Sequence, residues 1–199
     1  MGMAARTRPD TALTRAAEDL LVAASAPTLV AHCHRSYLFG SALLDKAGRD
    51  HDAHALFLAA ALHDLGLTAA WDDPAQPFEV RGAAVAQEHL LRWGADVELA
   101  DVVRDAIAGH LDPATVGDPR PEVAGLILGA LVDVLGVGLA DVPAALVDEV
   151  LTAYPRAGFT AFIIDVLRAE AAAKPASTIA AHIRNLDFLG RVAAAPFPD

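Results

Sequence analysis

His63 and Asp64 stand next to each other at the end of an apolar run, Leu56–Leu62, in the stretch LFLAAALHDLGLT. Both side chains are costly to bury. An ionised carboxylate in apolar surroundings costs several kcal/mol unless it is paired or bound to a metal ion. The stretch therefore indicates that a partner at the end of this helix compensates the imidazole and the carboxylate together.

A second carboxylate, Asp133, interrupts another apolar run, VAGLILGALVDVLGVGLA, which spans Val123–Ala140. The run imitates a membrane span, but a carboxylate in mid-span is costly and the flanks lack aromatic or basic anchors. We therefore predict a buried helix and no membrane partner. Asp133, like Asp64, then needs a compensating group.

Three further histidines lie in similar contexts. His32 and His34 occur in VAHCHRSYLFG, and His110 ends the segment AIAGHLDP. Two carboxylates and two or three imidazoles in apolar surroundings predict one divalent metal ion, because nitrogen and oxygen ligands of this kind suit zinc, iron, manganese or cobalt. The sequence contains no G-x-S-x-G elbow, Gly-rich phosphate loop or H-E-x-x-H motif that would favour another chemistry.

The segments that carry these residues are all predicted to be helices, so the fold class is predicted to be all-α. Ala, Leu, Glu and Arg dominate between Pro, Gly and Asp residues, and apolar/polar alternation is hard to find. The expected organisation is a disordered N-terminus over 1–10, a helical core over 11–140 and a helical extension of the same domain over 141–199. We predict helices over residues 11–25, 28–47, 52–65, 79–93, 96–110, 121–139, 143–153, 158–173 and 176–189.

Composition narrows the choice of partners and compartment. The formal net charge is −11, from 26 acidic and 15 basic residues, which disfavours nucleic acid as a partner. A single cysteine, Cys33, and an N-terminus without a signal-peptide core predict a cytoplasmic protein. A small molecule is the expected binding partner, and the apolar extension is compatible with a homodimer.

These segments together resemble the HD superfamily of metal-dependent hydrolases, named after an adjacent His-Asp pair. The chain is most similar to HD proteins related to cyanamide hydratase, which share H-S-x-R-x-Y-L-(F/Y)-G, A-A-L-L-H-D-L-G-L-T and F-E-x-x-G-A motifs. Here the corresponding stretches read HCHRSYLFG, AAALHDLGLT and FEVRGA. The resemblance continues through AIAGHLDP, LVDVLGVGL, AYPRAGF and KPAST, and so covers most of residues 28–180.

The resemblance implies an HD-domain helical bundle and assigns roles within it. The ligand histidine of the first motif stands three residues before Arg35, which selects His32 over His34. Arg35 is expected to orient a ligand carboxylate. The implied metal ligands are His32, His63, Asp64 and Asp133, and the candidates for proton transfer are Glu79, His110 and Asp112. Tyr37, Phe39, Trp71 and Phe78 are expected to line a small pocket.

The implied cofactor is one divalent ion, with zinc favoured over iron or manganese. Dinuclear members of the superfamily need further histidines between the pair and the last Asp. Here Glu79 stands near where one would fall, and His89 matches an apolar position, so a mononuclear site is expected. Leu67 occupies the position at which many HD phosphodiesterases carry Lys. That difference argues against activity on cyclic dinucleotides.

The implied reaction is the addition of water to a small nitrile-like substrate, such as cyanamide, which gives urea. One alternative is an HD phosphohydrolase acting on a nucleotide or a small phosphate monoester, which would need a wider, positively lined pocket. Another is a non-catalytic helical protein that keeps the ion as a structural clamp. The scarcity of lysine, found only at Lys46 and Lys174, counts against the phosphohydrolase.

Overall fold

The computed structural model describes residues 2–198, and within that range all regular structure is helical. The predicted all-α class is confirmed. The α-helices are α1 (Ala12–Ala24), α2 (Pro27–Lys46), α3 (Ala53–Leu62), α4 (Phe78–Arg92), α5 (Val97–Gly109), α6 (Pro121–Leu135), α7 (Ala144–Ala153), α8 (Phe159–Ala173), α9 (Thr178–Leu186) and α10 (Phe188–Ala193). Short 3-10 helices cover Met3–Arg6, Leu65–Leu67, Pro113–Gly117 and Leu139–Asp141.

The central element is α3, whose residues from Ala55 to Leu62 are all buried. A helix that is apolar on every side must be surrounded, and α3 packs against α1, α2, α5 and α6. Asp52 caps its first turn by accepting from the backbone N–H of His54. The apolar run before the His-Asp pair therefore forms the middle of the bundle.

Helices α2 and α6 cross in unusually close contact through glycines. A Cβ atom on Gly129 would lie 1.9 Å from the carbonyl oxygen of Ser36, and one on Gly40 would lie 2.3 Å from that of Gly125. Neither position can hold a side chain without separating the helices. This crossing sets the distance between His32 on α2 and Asp133 on α6.

Three predicted helices end differently in the structure. The segment predicted over 52–65 stops at Leu62. The segment predicted over 121–139 stops at Leu135, because Gly136 adopts a left-handed conformation with φ of 70°. The segment predicted over 176–189 breaks at Asp187, which has φ of 48° and divides α9 from α10. Among residues 2–198, no helix is both long and apolar enough to cross a membrane.

The C-terminal helices α8, α9 and α10 form a second apolar cluster beside the main core. Its buried members are Phe78, Phe159, Ile163, Leu167, Ile179 and Val192. Helix α7 belongs instead to the main core through Leu146 and Val150. At the other end of the chain, the segment predicted to be disordered includes the 3-10 helix Met3–Arg6, and Arg6 forms a 2.5 Å ion pair with Asp45.

Candidate metal centre

Three donor atoms converge at the end of α3. His32 Nε2 lies 3.2 Å from His63 Nε2 and 3.6 Å from Asp64 Oδ2, and His63 Nε2 lies 3.3 Å from that same oxygen. All three side chains are buried. Ligand bonds of 2.0–2.2 Å to one zinc-like ion separate neighbouring ligands by about 2.8–3.6 Å. The buried group His32, His63 and Asp64 has the spacing needed to hold one metal ion.

The hydrogen bonds on the far side of each ring fix which nitrogen faces the centre. His63 Nδ1 donates to the carbonyl oxygen of Ala60 at 2.8 Å. His32 Nδ1 donates to Asp133 Oδ2 at 2.7 Å. In their neutral forms both rings therefore direct an Nε2 lone pair towards the other and towards the Asp64 carboxylate. Metal-bound histidines are commonly oriented in this way, by a carbonyl or a carboxylate on the second nitrogen.

Three acceptors this close repel one another unless a proton or a cation lies between them. Burial alone would lower the pKa of His63, but the adjacent Asp64 carboxylate and Cys33 together outweigh burial and raise that pKa well above its usual value. Burial opposes ionisation of Asp64, yet the neighbouring imidazoles hold its pKa below the usual range. A proton on His63 thus compensates the carboxylate when no ion is bound. A divalent cation would take that proton's place.

Local backbone geometry explains how adjacent residues reach the same centre. Helix α3 ends at Leu62, His63 is the capping residue, and Asp64 leads into the 3-10 turn Leu65–Leu67. Gly66, two residues after Asp64, allows a close approach between this turn and α4. A Cβ atom on Gly66 would lie 2.1 Å from the carbonyl oxygen of Phe78, so the glycine allows the turn to pack directly against the start of α4.

Asp133, predicted as the fourth ligand, lies outside this group of donor atoms. It is fully buried, and its Oδ2 accepts from His32 Nδ1 and from Arg35 at 2.9 Å. Its Oδ1 accepts from Arg35 at 2.6 Å and from Arg156 at 3.0 Å. Burial opposes its ionisation, but His32 and Arg35 lower the pKa of Asp133 to about 2. The Asp133 oxygens are therefore bonded to His32, Arg35 and Arg156, and Asp133, predicted as a ligand, is not among the three donors that converge at the end of α3.

Two residues of this centre were not assigned a role from the sequence. Arg156, 3% exposed, is the second guanidinium on Asp133. Phe159 stacks on His32 with a ring-centroid distance of 4.7 Å, and the guanidinium carbons of Arg35 and Arg156 lie 5.0 and 4.9 Å from its ring centre. In the sequence, the stretch AYPRAGF contains both residues and belongs to the family resemblance. An arginine near a phenylalanine in a helical region is common, so by itself it predicts no role.

His110 lies beside the donor group, in the pocket where the sequence predicted it. Its Nδ1 donates to the carbonyl oxygen of Ile107 at 2.6 Å, and its Nε2 lies 3.9 Å from Asp64 Oδ1. Burial, reinforced by the His63 charge, lowers the pKa of His110 to about 4. His110 is therefore neutral near physiological pH, with an Nε2 lone pair available to accept a proton.

Glu79 and Asp112, the other candidates for proton transfer, do not line the cavity at the centre. Glu79 is buried in the first turn of α4 and lies near Glu170, Lys174 and Thr178 of the extension, where burial raises its pKa. Asp112 is exposed and caps the 3-10 helix Pro113–Gly117 by accepting from Ala114 N. Both carboxylates have structural positions, so the structure does not support them as catalytic groups.

A cavity of about 260 Å³ adjoins the donor group. His32, His63, Asp64 and His110 provide polar atoms at its buried end, whereas α6, α8 and α9 supply apolar walls. His182 and Arg191 are the remaining polar lining residues, and Arg191 is exposed. Of the predicted pocket aromatics, only Phe78 lines this cavity; Tyr37, Phe39 and Trp71 pack in or against the main core.

Comparisons with known proteins add no further assignment. No protein-family profile matches this chain. A search of curated proteins likewise gives no significant match. The chemistry of this centre therefore has to be argued from its own residues.

Proposed function

We propose that the protein is a metal-dependent hydratase or hydrolase that adds water to a small nitrile-like substrate. The observation that carries the proposal is the convergence of two histidine Nε2 lone pairs and one carboxylate beside an open cavity. Catalytic zinc sites commonly use three protein ligands and keep a further position for water or substrate. The motif resemblance to cyanamide hydratase supports the same reaction.

The protein's own residues would divide the work. His32, His63 and Asp64 would hold the ion, with zinc favoured and iron or manganese as alternatives. When bound, such an ion supplies Lewis acidity that lowers the pKa of a coordinated water. His110, whose Nδ1 donates to Ile107 and whose Nε2 lies 3.9 Å from Asp64 Oδ1, would accept a proton from the attacking water and return it to the substrate nitrogen. For cyanamide, water adds across the C≡N bond, and the product rearranges to urea.

Asp133 and its partners would act through His32. The Asp133 carboxylate fixes the tautomer of His32, and two guanidinium groups hold that carboxylate in place. The ring of Phe159 stacks on a face of the His32 imidazole. Such support around a ligand histidine raises its basicity and keeps its orientation, so these are positioning residues.

The phosphohydrolase alternative fits the cavity less well. A phosphate monoester needs cationic side chains near the reacting group. Arg35 and Arg156 are bonded to Asp133 and are not among the described lining residues of the cavity, and Arg191, the arginine that does line it, is exposed. The purely structural alternative also fits poorly, because structural metal sites are closed by protein ligands, whereas this donor group borders a cavity.

The test is urea formation from cyanamide by protein loaded with zinc, manganese or ferrous iron, with phosphate release from an aryl phosphate measured in parallel. We expect urea with at least one metal and none after chelation. Asp64→Asn is the matched variant, since it removes one ligand charge and retains side-chain volume. Urea formation by that variant at the wild-type rate, or no turnover of cyanamide or of any other nitrile by metal-loaded wild type, would overturn the proposal.

A further inference from the structure

The cavity beside the donor group is much larger and more apolar than cyanamide requires. Cyanamide has three non-hydrogen atoms, whereas the cavity measures about 260 Å³. An apolar cavity of about 150 Å³ in another protein accommodates benzene. We propose that the preferred substrate is an uncharged nitrile that carries an apolar group at least as large as a phenyl ring. This inference rests on the proposed function and specifies its substrate class.

The walls show which part of such a substrate each region would contact. Ile163 and Leu167 on α8, and Ile179 on α9, are buried apolar residues that face the cavity. Across from them α6 contributes Ala130 and Val134. These side chains offer dispersion contacts and no hydrogen bonds, so their natural complement is a hydrocarbon surface.

The polar groups are concentrated where the reactive end would lie. His63, Asp64 and His110 border the cavity at its buried end and are each at most 6% exposed. A substrate that is apolar at one end and carries a nitrile at the other matches this division. A charged substrate would lose its hydration against the apolar walls without gaining a partner there, which argues for an uncharged molecule.

The C-terminal extension is what makes the cavity selective. Helices α8 and α9 supply much of the apolar wall, whereas the donor residues come from α2 and the end of α3. Ala130 is the smallest of the α6 residues that line the cavity. A larger side chain at position 130 would fill space that the proposed apolar group occupies.

Binding of apolar probes tests the proposal without relying on turnover. We would titrate the full-length protein, both as purified and after chelation, with toluene, benzonitrile and acetonitrile by calorimetry or NMR. Each buried methylene contributes about 0.8 kcal/mol, roughly a fourfold gain in affinity. We therefore expect benzonitrile to bind at least about 100-fold more tightly than acetonitrile, and toluene to bind with or without metal. Equal affinities for the two nitriles, or no binding of toluene, would overturn the inference.

A matched pair of variants locates the binding. Ala130→Leu should weaken toluene binding at least tenfold by filling the cavity, whereas Ala161→Leu, the same change at an exposed position on α8, should leave it unchanged. Equal effects of the two would place the probe elsewhere and overturn the inference. If Ala130→Leu does not fold, the wild-type nitrile series decides alone. Size-dependent binding without turnover of any nitrile would contradict the proposed function, while cyanamide turnover without size dependence would contradict only this inference.

Discussion

The variant Asp133→Asn distinguishes the role of Asp133 from that of Asp64, the other carboxylate at this centre. Asp133 is the counterion of two buried guanidinium groups, Arg35 and Arg156, which are 0% and 3% exposed. Arginine cannot release its proton in a protein, so the variant leaves the buried Arg35 charge without the carboxylate that accepts two of its hydrogen bonds. Breaking a buried ion pair in this way costs about 3–5 kcal/mol. We expect a loss of that size in the free energy of unfolding of Asp133→Asn.

The matched control is Asp64→Asn, studied in metal-free protein. Asp64 faces His32, His63 and His110, and an imidazolium, unlike a guanidinium, can lose its proton when its partner disappears. The expected cost for Asp64→Asn is therefore smaller than that for Asp133→Asn. Urea denaturation followed by circular dichroism in the presence of a chelator measures both values. A loss below about 1 kcal/mol for Asp133→Asn, or equal losses for the two variants, would refute the assignment of Asp133.

Metal affinity gives an independent check on the same variant. Removing the group that orients a metal ligand weakens metal binding about 10–100-fold. Removing a direct ligand weakens metal binding further. We therefore expect Asp133→Asn to retain measurable zinc binding and Asp64→Asn to lose it. Loss of binding as complete in Asp133→Asn as in Asp64→Asn would make Asp133 a ligand, as the sequence analysis predicted.

Three further variants test the helix crossing, the role of His110 and the stacking of Phe159. Gly129→Ala should reduce the free energy of unfolding by about 3 kcal/mol or more, because its Cβ atom would overlap the carbonyl oxygen of Ser36; wild-type stability in the same denaturation assay would contradict the close helix crossing. The pKa of His110 is near 4 in the folded state and at 6.5 in the unfolded state. Protonation of His110 in the unfolded state therefore lowers the free energy of unfolding as the pH falls from 6.5 to 4. The variant His110→Gln should remove that part of the pH dependence. The same variant should reduce kcat for urea formation about 10²–10⁴-fold, and a wild-type kcat would exclude His110 from proton transfer. Phe159→Leu should keep the fold but weaken zinc affinity about tenfold through the orientation of His32, with unchanged affinity counting against the stacking role.

The sequence was sufficient to predict the helical class and the members of the donor group. His63 and Asp64 could be identified because an apolar run, which must be buried, ended in two groups that burial penalises. The dipeptide alone decides nothing: His51 and Asp52 form the same pair, yet Asp52 caps the start of α3. Burial context, supplied by the run itself, was the informative signal.

The remaining parts of the site depend on contacts between distant segments. Asp133 accepts a hydrogen bond from Arg156, which lies in the loop between α7 and α8, 23 residues further along the chain. Glu79 was predicted to face the centre, but Glu170 and Lys174 fix its surroundings from a helix far along the chain. The cavity walls on α8 and α9 could not be predicted for the same reason. Helical periodicity indicates an apolar face but not which part of the protein that face contacts.

Metal content per chain tests the central claim most directly. Wild-type protein and Asp64→Asn would be stripped with chelator, incubated with zinc, separated from free ion and analysed for bound metal, with circular dichroism confirming that both remain folded. The account predicts about one zinc ion per wild-type chain and almost none in the variant. A wild-type chain that binds no zinc, iron or manganese, or a variant that binds a full equivalent, would contradict the metal centre at His32, His63 and Asp64.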